Sequence, residues 1–328
     1  RTAHDGARVP AAAKRCGRAG GYFDNAGNGE CTMSIEIKDV TYIYDQGTPS
    51  ESTALSHVNL TIQKGEFVGI IGHTGSGKST LIQHLNGLIR PTGGQVICDG
   101  EDIFAAPTGV KKKKELRALQ AAKMKRVRQK VGLVFQYPEH QLFEMTVAGD
   151  IAFGPKNLGL GEEEIERRVD QAMAMVGLSD EYKEKSPFEL SGGQKRRVAI
   201  AGVLAMQPEY LILDEPTAGL DPRGRDEILT QVQQLQKQQG ITVILVSHSM
   251  EDVAKYVDRI IAMGEGRVQL DGTPREVFAH AERLKAIGLD IPQVTQLGNL
   301  LAEQGFSVPE TILSLDEMQE KLLHILKG

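Results

Sequence analysis

The chain contains no tryptophan and only three cysteines in 328 residues, and aromatic residues make up 5% of it. Cys16, Cys31 and Cys98 are too few and too scattered for a disulfide framework or a cysteine-ligated metal site, which fits a reducing cytoplasm. Continuous apolar runs of about 20 residues are also missing, so we expect no membrane-spanning helix. These absences argue against a disulfide-rich secreted domain and against a chain that crosses the bilayer by itself.

The charge composition is that of an ordinary globular protein. Charged residues make up 25% of the chain, hydrophobic residues 40%, and the formal net charge is -5. This balance does not favour a nucleic-acid partner, because binders of phosphate backbones usually carry excess positive charge. The length allows one large domain with a small appendage.

The apolar pattern predicts an α/β domain between an N-terminal extension and a C-terminal appendage. Two alternating strands, Ile35–Tyr44 and Leu55–Ile62, predict an antiparallel flank. Short continuous apolar runs, typical of buried parallel strands, alternate with helical patterns. These strands are Phe67–Ile71, Val131–Phe135, Leu211–Leu213 and Thr242–Val246, and the helices include Ser79–Leu88, Glu162–Val176 and Arg223–Gln238. The expected boundaries are a disordered extension 1–32, a main domain 33–272 with a helical subdomain at about 137–204, and a helical appendage 273–328.

The clearest motif lies between a predicted strand and a predicted helix. Gly72, His73, Thr74, Gly75, Ser76, Gly77, Lys78 and Ser79 match the phosphate-loop pattern GxxxxGK[ST], and Thr80 follows directly. Glycines let backbone N–H groups surround a phosphate at the helix N-terminus. Lys78 would bind the β- and γ-phosphate oxygens and Ser79 would offer a hydroxyl to Mg²⁺. The strand, loop and helix order favours this interpretation over a chance glycine-rich turn.

Two further segments complement the loop. The strand Leu211–Leu213 delivers Asp214 and Glu215 to the edge of the sheet, where Asp214 would hold Mg²⁺ and Glu215 would polarise the attacking water. A helix-capping acid is the alternative role for Glu215. Ser191, Gly192, Gly193 and Gln194 precede a helical run and form a second candidate anion site at a helix N-terminus, although Ser191 could simply cap that helix.

Ser191–Gln194 resembles the signature loop of ATP-binding-cassette proteins, and the other motifs of that family follow in the same order. Gln136 resembles the Q-loop glutamine, a catalytic residue and magnesium ligand. Asp221 of Ala218–Asp221 resembles the D-loop aspartate, and His248 the switch histidine. Tyr44 occupies the place of the aromatic residue that stacks on adenine, with Tyr42 as the competitor. The resemblance covers roughly residues 35–272 and implies a P-loop NTPase fold that binds and hydrolyses Mg-ATP.

The family resemblance also implies a pair of cassettes. One chain has one phosphate loop and one signature loop, and in this family each ATP is held between the phosphate loop of one cassette and the signature loop of the other. Ser191 and Gly193 of the partner would then donate to the γ-phosphate. Asp221 would connect the two halves.

The segment from Val134 to Phe143, followed by Asp150–Pro155, is similar to the energy-coupling-factor importers, which take up vitamins and cobalt or nickel ions. Gly47–Pro49 and Leu289–Thr295 resemble the second of their two paired ATPases. This resemblance implies a related second ATPase, a transmembrane coupling subunit contacted after Gln136, a substrate-binding membrane subunit, and a peripheral position on the cytoplasmic face of the membrane. The alternative for Pro138–Phe143 is a surface loop that contributes to the core of the helical subdomain.

Other functions stay open at this point. A cassette of another importer would lack the features around Gln136, and a soluble cassette protein acting on ribosomes or DNA would usually carry two cassettes or a long coiled coil. The basic segment from Lys111 to Lys130 departs from the family pattern. Such a run is typical of a solvated helix; the sharper hypothesis is contact with anionic lipid head groups.

Overall fold

The structure, a computed structural model, describes residues 34–107, 112–306, 308 and 311–327. The predicted extension 1–32 lies outside these residues, as does Lys111 of the basic segment. Among the described helices, none combines the length and the apolar character that crossing a bilayer requires.

The described residues form ten strands and eleven α-helices. The strands are β1 Ser34–Tyr44, β2 Ser52–Gln63, β3 Phe67–Gly72, β4 Gly93–Cys98, β5 Glu101–Asp102, β6 Val131–Val134, β7 Tyr210–Asp214, β8 Thr242–Val246, β9 Arg259–Gly264 and β10 Arg267–Gly272. The helices are α1 Lys78–Leu85, α2 Lys113–Lys130, α3 Val147–Leu158, α4 Glu162–Met175, α5 Gly192–Leu204, α6 Pro222–Gln239, α7 Met250–Tyr256, α8 Pro274–Ala279, α9 Ala281–Ala286, α10 Gln293–Glu303 and α11 Leu315–Lys327. Short 3₁₀ helices lie at Pro138–Gln141, Asp180–Tyr182 and Pro187–Glu189.

The strands make two sheets. The antiparallel flank has the order β2-β1-β4-β5, and the central sheet has the order β10-β9-β3-β8-β7-β6. In the central sheet β9, β3, β8, β7 and β6 run parallel, and β10 pairs antiparallel with β9. The predicted α/β fold with an antiparallel flank is confirmed.

The central sheet is buried on both faces, which explains its continuous apolar strands. In β7, Leu211 and Leu213 pack into one core with helices α3 to α6, whereas Tyr210 and Ile212 pack into a second core with β1, β2 and α1. This alternation is the two-residue side-chain period of a strand. Residues after β10, including Phe278 and Leu284, share the first core.

Element bounds agree closely with the pattern. The predicted strand Thr242–Val246 has those bounds in the structure, and the helix predicted at Arg223–Gln238 spans Pro222–Gln239. The helix predicted at Ser79–Leu88 begins at Lys78 and ends at Leu85, with Gly87 in the left-handed region (φ 70°) just beyond it. Strands β9 and β10 were not predicted.

Candidate functional site

The phosphate loop runs from the end of β3 into α1, and the backbone geometry requires glycine at two of its positions. Gly77 has φ 98°, and a Cβ there would lie 2.5 Å from the Ala54 carbonyl oxygen. Gly75 has φ 84°. Side chains are strained in this left-handed region, so a chain with larger residues here could not turn in the same way.

Lys78 is buried beneath the loop. Its Nζ donates to the carbonyl oxygens of Gly72 at 2.7 Å and His73 at 3.1 Å. Burial lowers the pKa of Lys78, and the nearby carboxylates of Glu215 and Asp214 oppose that shift. The lysine therefore provides a desolvated ammonium group next to two acids.

Asp214 ends β7 and Glu215 follows it. The Glu215 backbone has φ 50° and its N–H donates to the Val246 carbonyl of β8 at 3.0 Å. A non-glycine residue in this region is uncommon, and the bond to β8 holds it there. The structure therefore places Glu215 at a strand end and not at a helix cap.

Burial raises the pKa of Glu215 to about 7, with the charge of Asp214 adding to the shift. Burial also raises the pKa of Asp214, and Lys78 opposes this. Glu215 Oε1 is buried and has no hydrogen-bond partner among the described residues. A carboxylate with a pKa near neutrality and a free buried oxygen is suited to general-base chemistry.

His248 follows β8 and lies against Glu215. Its Nε2 is 3.3 Å from Glu215 Oε1, not aligned for a hydrogen bond, and its backbone N–H donates to Oε2 at 3.4 Å. Burial and the charge of Lys78 lower the pKa of His248. The imidazole is therefore neutral at pH 7 and keeps one donor and one acceptor nitrogen.

The structure distinguishes the two candidates for base stacking, Tyr44 and Tyr42. Tyr44 lines the cavity, is 39% exposed, and its hydroxyl lies 3.1 Å from Thr80 Oγ1. Tyr42 packs edge-on against both Tyr44 and His84 and does not line the cavity. The geometry favours Tyr44.

One cavity of about 580 Å³ collects most predicted residues at the carboxyl ends of the parallel strands. This is where α/β sheets generally bind ligands. It is lined by Tyr44, Thr74, Gly75, Gly77, Lys78, Ser79, Thr80, Gln136, Asp214, Glu215 and His248, together with Ser52, Thr53 and Ala54. The last three were not predicted; no motif marks them, and β2 brings them to the loop through space.

Some predicted residues do not line this cavity. Gly72, His73 and Ser76 form the base of the loop, and the Ser76 hydroxyl is buried without a hydrogen-bond partner among the described residues. Asp221 caps α6 by accepting from the Gly224 N–H at 2.7 Å.

The signature loop also lies outside the cavity lining. Ser191 and Gln194 form a capping box at the start of α5, with Ser191 N–H donating to Gln194 Oε1 at 2.9 Å. Gly192 and Gly193 complete the loop. The structure thus gathers the phosphate loop with Gln136, Asp214, Glu215 and His248, and leaves the signature loop apart.

Arg196 was not predicted. It is 2% exposed, makes a two-point contact with Glu139 (2.7 and 3.2 Å), and donates to the carbonyl oxygens of Pro216 at 3.0 Å and Ala218 at 2.6 Å. Burial alone would raise the pKa of Glu139, but the hydrogen bonds and charge of Arg196 bring it below its ordinary value. Arg196 therefore joins the segment after Gln136 to the segment after Glu215.

We predict that Arg196→Met lowers the free energy of unfolding at pH 7 by about 3–5 kcal/mol, because Glu139 and two carbonyl groups lose their buried partner. Urea unfolding measures this change. Arg167→Met is the matched control, since Arg167 also lies 2.7 Å from a glutamate, Glu164, but is 52% exposed; it should lose less than about 1 kcal/mol. Equal losses in the two variants would contradict the buried-pair argument.

A second cavity, of about 520 Å³, is an apolar groove beside the same elements. Gln141, Leu142 and Phe143, which follow Gln136, line it together with residues of α2, α3 and α5. Phe143 and Phe153 meet edge-on there at 5.0 Å and both are exposed. Residues 141–143 therefore form part of the groove wall, and Leu142 also packs against the core.

Comparison with known proteins assigns the chain. Residues 55–218 match the ABC transporter family. The chain is 56% identical to the energy-coupling factor transporter ATP-binding protein EcfA2 of Clostridium tetani, with 90% of this chain and 98% of that protein aligned. It is 55% identical to the EcfA2 protein of Clostridium perfringens over 90% of this chain and 99% of that protein.

Solved structures agree. The structure of cbiO1 from Clostridium perfringens, described as part of the ABC transporter complex cbiONQ, is 40% identical, with a TM-score of 0.66 and coverage of 83% of this chain and 100% of that chain. The ATP-binding cassette MJ0796, in a dimeric post-hydrolysis state bound to ADP and Pi, is 31% identical, with a TM-score of 0.60 and coverage of 74% and 99%. The prediction of an energy-coupling factor ATPase is confirmed over the other two functions, and the chain belongs to the ABC transporter family, within it to the EcfA2 type of energy-coupling factor transporter ATP-binding proteins.

Proposed function

We propose that this chain binds Mg-ATP in the 580 Å³ cavity and hydrolyses it only when a second cassette covers the nucleotide. The observation that carries the proposal is the composition of the cavity. It holds Lys78, Glu215 and His248, whereas Ser191–Gln194 and Asp221 lie outside its lining. A complete site therefore needs donors from another chain.

Gly192 and Gly193 of the signature loop support a nucleotide site that is divided between two chains. A Cβ on Gly192 or Gly193 would meet nothing within 4 Å, and neither residue has positive φ. Nothing in the described part of the chain therefore requires glycine at these positions. Close approach of a partner's nucleotide to the backbone would require it, because a side chain would obstruct that approach.

Each cavity residue has a chemical role in the proposal. Lys78 exchanges its carbonyl contacts for phosphate oxygens, and Tyr44 stacks on the base. Glu215 Oε1, which has no partner among the described residues, accepts a hydrogen bond from the attacking water and takes its proton. Neutral His248 orients the water or the γ-phosphate.

The donor set also fits magnesium, because Ser79, Gln136 and Asp214 present hydroxyl, amide and carboxylate oxygens to one cavity. Hard divalent cations prefer oxygen ligands of this kind. These three residues would hold the ion, which when bound neutralises negative charge on the phosphates.

As an energy-coupling factor ATPase, the chain energises an importer. MJ0796 is dimeric and cbiO1 is part of a transporter complex, which supports a paired ATPase and membrane subunits for this chain. In the proposal the partner cassette is a related chain, and the apolar groove receives a transmembrane coupling subunit. A separate membrane subunit binds the cargo, a vitamin or a transition-metal ion, and this chain lies on the cytoplasmic face of the membrane.

We also propose that residues 33–272 are the cassette, with 137–204 as its helical subdomain, and that 273–328 is an appendage. Helices α8 to α11 follow the last strand, which supports this boundary. The first of them is fixed by a capping box between Thr273 and Glu276.

The test is Gly193→Asp. The new carboxylate would add a negative charge beside the backbone N–H that faces the partner's γ-phosphate, so we expect turnover in the assembled transporter to fall on the order of 100-fold. ATP affinity of the dilute single chain should not change. Both are measured, by phosphate release and by binding of a fluorescent nucleotide.

The matched control is Gly161→Asp. Gly161 also starts a helix and also has no neighbour within 4 Å of its Cβ position. It should leave turnover unchanged. Loss of ATP binding by the single Gly193→Asp chain, or full turnover in the assembled complex, would contradict the two-chain site.

A further inference from the structure

Helix α2 and the residue before it carry concentrated positive charge. Between positions 112 and 130 the sequence has nine Lys or Arg residues and one acid, Glu115, in a chain whose formal net charge is -5. The charge is therefore local and opposite in sign to that of the whole chain.

Four of the five basic residues in the C-terminal half of α2 have partners in the fold, and the fifth, Arg126, is exposed. Lys123 lies 3.0 Å from Glu101, Lys125 donates to the Asn157 carbonyl at 2.8 Å, Arg128 donates to the Gly87 carbonyl at 3.4 Å, and Lys130 lies 2.6 Å from Asp99. These contacts hold the helix to β5, α3 and the core. Their positive charge is explained by structure.

The N-terminal half differs. We define the basic patch as Lys112, Lys113, Lys114 and Arg117. All four are exposed, and none of their side chains has a hydrogen bond or ion pair with any described residue. Their positive charges are therefore not neutralised by any ion pair within the described part of the chain.

Their position is unfavourable for the helix itself. The N-terminus of a helix carries partial positive charge, so cations there are destabilising, and like charges three or four residues apart repel. Only Glu115 opposes them in the first turn. An external anion is therefore the better explanation for four cations at this end.

The patch lies beside the apolar groove. Ala121, Lys125 and Arg128 of α2 line the groove. Helical periodicity puts Lys114 and Arg117 on that same side of α2, about 6–10 Å before Ala121. This separation is comparable with the range of electrostatic attraction in physiological salt, about 8 Å.

We propose that the basic patch binds the head groups of anionic phospholipids next to the docked membrane subunit. The inference rests on the proposed function, because the groove must face the bilayer. The four side chains spread over more than half of the helix circumference, at about 100° per residue, and line neither the apolar groove nor the 580 Å³ cavity. A diffuse negative surface matches that distribution, whereas one acidic peptide would require converging donors.

The experiment is flotation of the full chain with phosphatidylcholine vesicles, with and without phosphatidylglycerol, at low and high salt. The wild type should bind only the anionic vesicles, and more weakly at high salt. Replacing all four patch residues with Ser should lower binding about 600-fold, since each basic residue near the surface contributes about fivefold. The same substitutions to Gln keep helix propensity and should give the same loss.

The control variant removes the same charge elsewhere, by Ser at Lys38, Lys237, Lys255 and Lys285, and should bind as the wild type does. Equal loss in the control, or no loss in the patch variants, would overturn the proposal. The proposal would also be overturned if the patch variants bound vesicles as the wild type does but failed to assemble with the membrane subunits in detergent. The patch would then bind an acidic protein segment. ATP binding, measured in parallel, should persist in every variant, which separates this proposal from that of the nucleotide site.

Discussion

Replacing Glu215 with glutamine is expected to lower ATP turnover of the assembled transporter by about 100-fold or more, while ATP still binds. The amide keeps the shape of the side chain but cannot accept the proton of the attacking water. The closed pair should therefore accumulate with ATP bound, which size-exclusion chromatography with radiolabelled nucleotide detects. Unimpaired turnover would remove Glu215 as the general base.

A second prediction for Glu215→Gln concerns how the free energy of unfolding depends on pH. Burial raises the pKa of Glu215 from 4.5 to about 7, so the folded protein keeps a proton that the unfolded chain has already lost over this interval. Ionised Glu215 therefore destabilises the fold above pH 7, by on the order of 3 kcal/mol. Glu215→Gln should be more stable than the wild type at pH 8, and the difference should vanish as pH falls through 4.5.

Urea unfolding of the nucleotide-free chain at several pH values measures this difference. Glu265→Gln is the control, because Glu265 also has positive φ (52°) but is exposed, and its substitution should change the free energy of unfolding by less than about 0.5 kcal/mol. A pH-independent difference between Glu215→Gln and the wild type would contradict the assigned pKa.

Replacing Lys78 with alanine should reduce ATP affinity at least about 100-fold, because two charge-assisted hydrogen bonds to phosphate oxygens are lost. The variant also leaves Asp214 and Glu215 without their neighbouring cation, which disfavours an anionic ligand further. Binding of a fluorescent ATP analogue measures the effect.

Lys78→Met serves as the second variant, since it keeps the length of the buried side chain and should lose affinity to a similar extent. Lys237→Ala, on the exposed part of α6, controls for the loss of one positive charge. Undiminished ATP affinity in both Lys78 variants would overturn the phosphate-loop assignment.

Much of the fold was predictable because its core elements are strongly patterned. The buried strand Thr242–Val246 is a continuous β-branched and aliphatic run, and Pro222 and Gly240 mark the ends of α6. Strands β9 and β10 were missed. Ile260–Met263 of β9 is a similar apolar run, but its parallel pairing with β3 is visible only in the structure, and β10 pairs with β9 in an irregular register. The pairing of edge strands is decided by tertiary contacts.

The candidate site was predictable where residues follow one another in a motif and not where they meet through space. Lys78, Asp214 and His248 belong to ordered motifs, and the structure brings them together. Arg196 could not be predicted, because Glu139 is 57 positions away and its other acceptors are backbone carbonyl groups, which no side-chain pattern reveals.

The separation of the signature loop from the cavity has a consequence for subunits that have not yet assembled. In the proposed scheme a copy of the chain synthesised before its companions holds ATP but does not consume it, since the missing donors arrive only with a second cassette. Unassembled subunits therefore do not hydrolyse ATP, and an excess of them does not lower the cellular ATP concentration through futile hydrolysis.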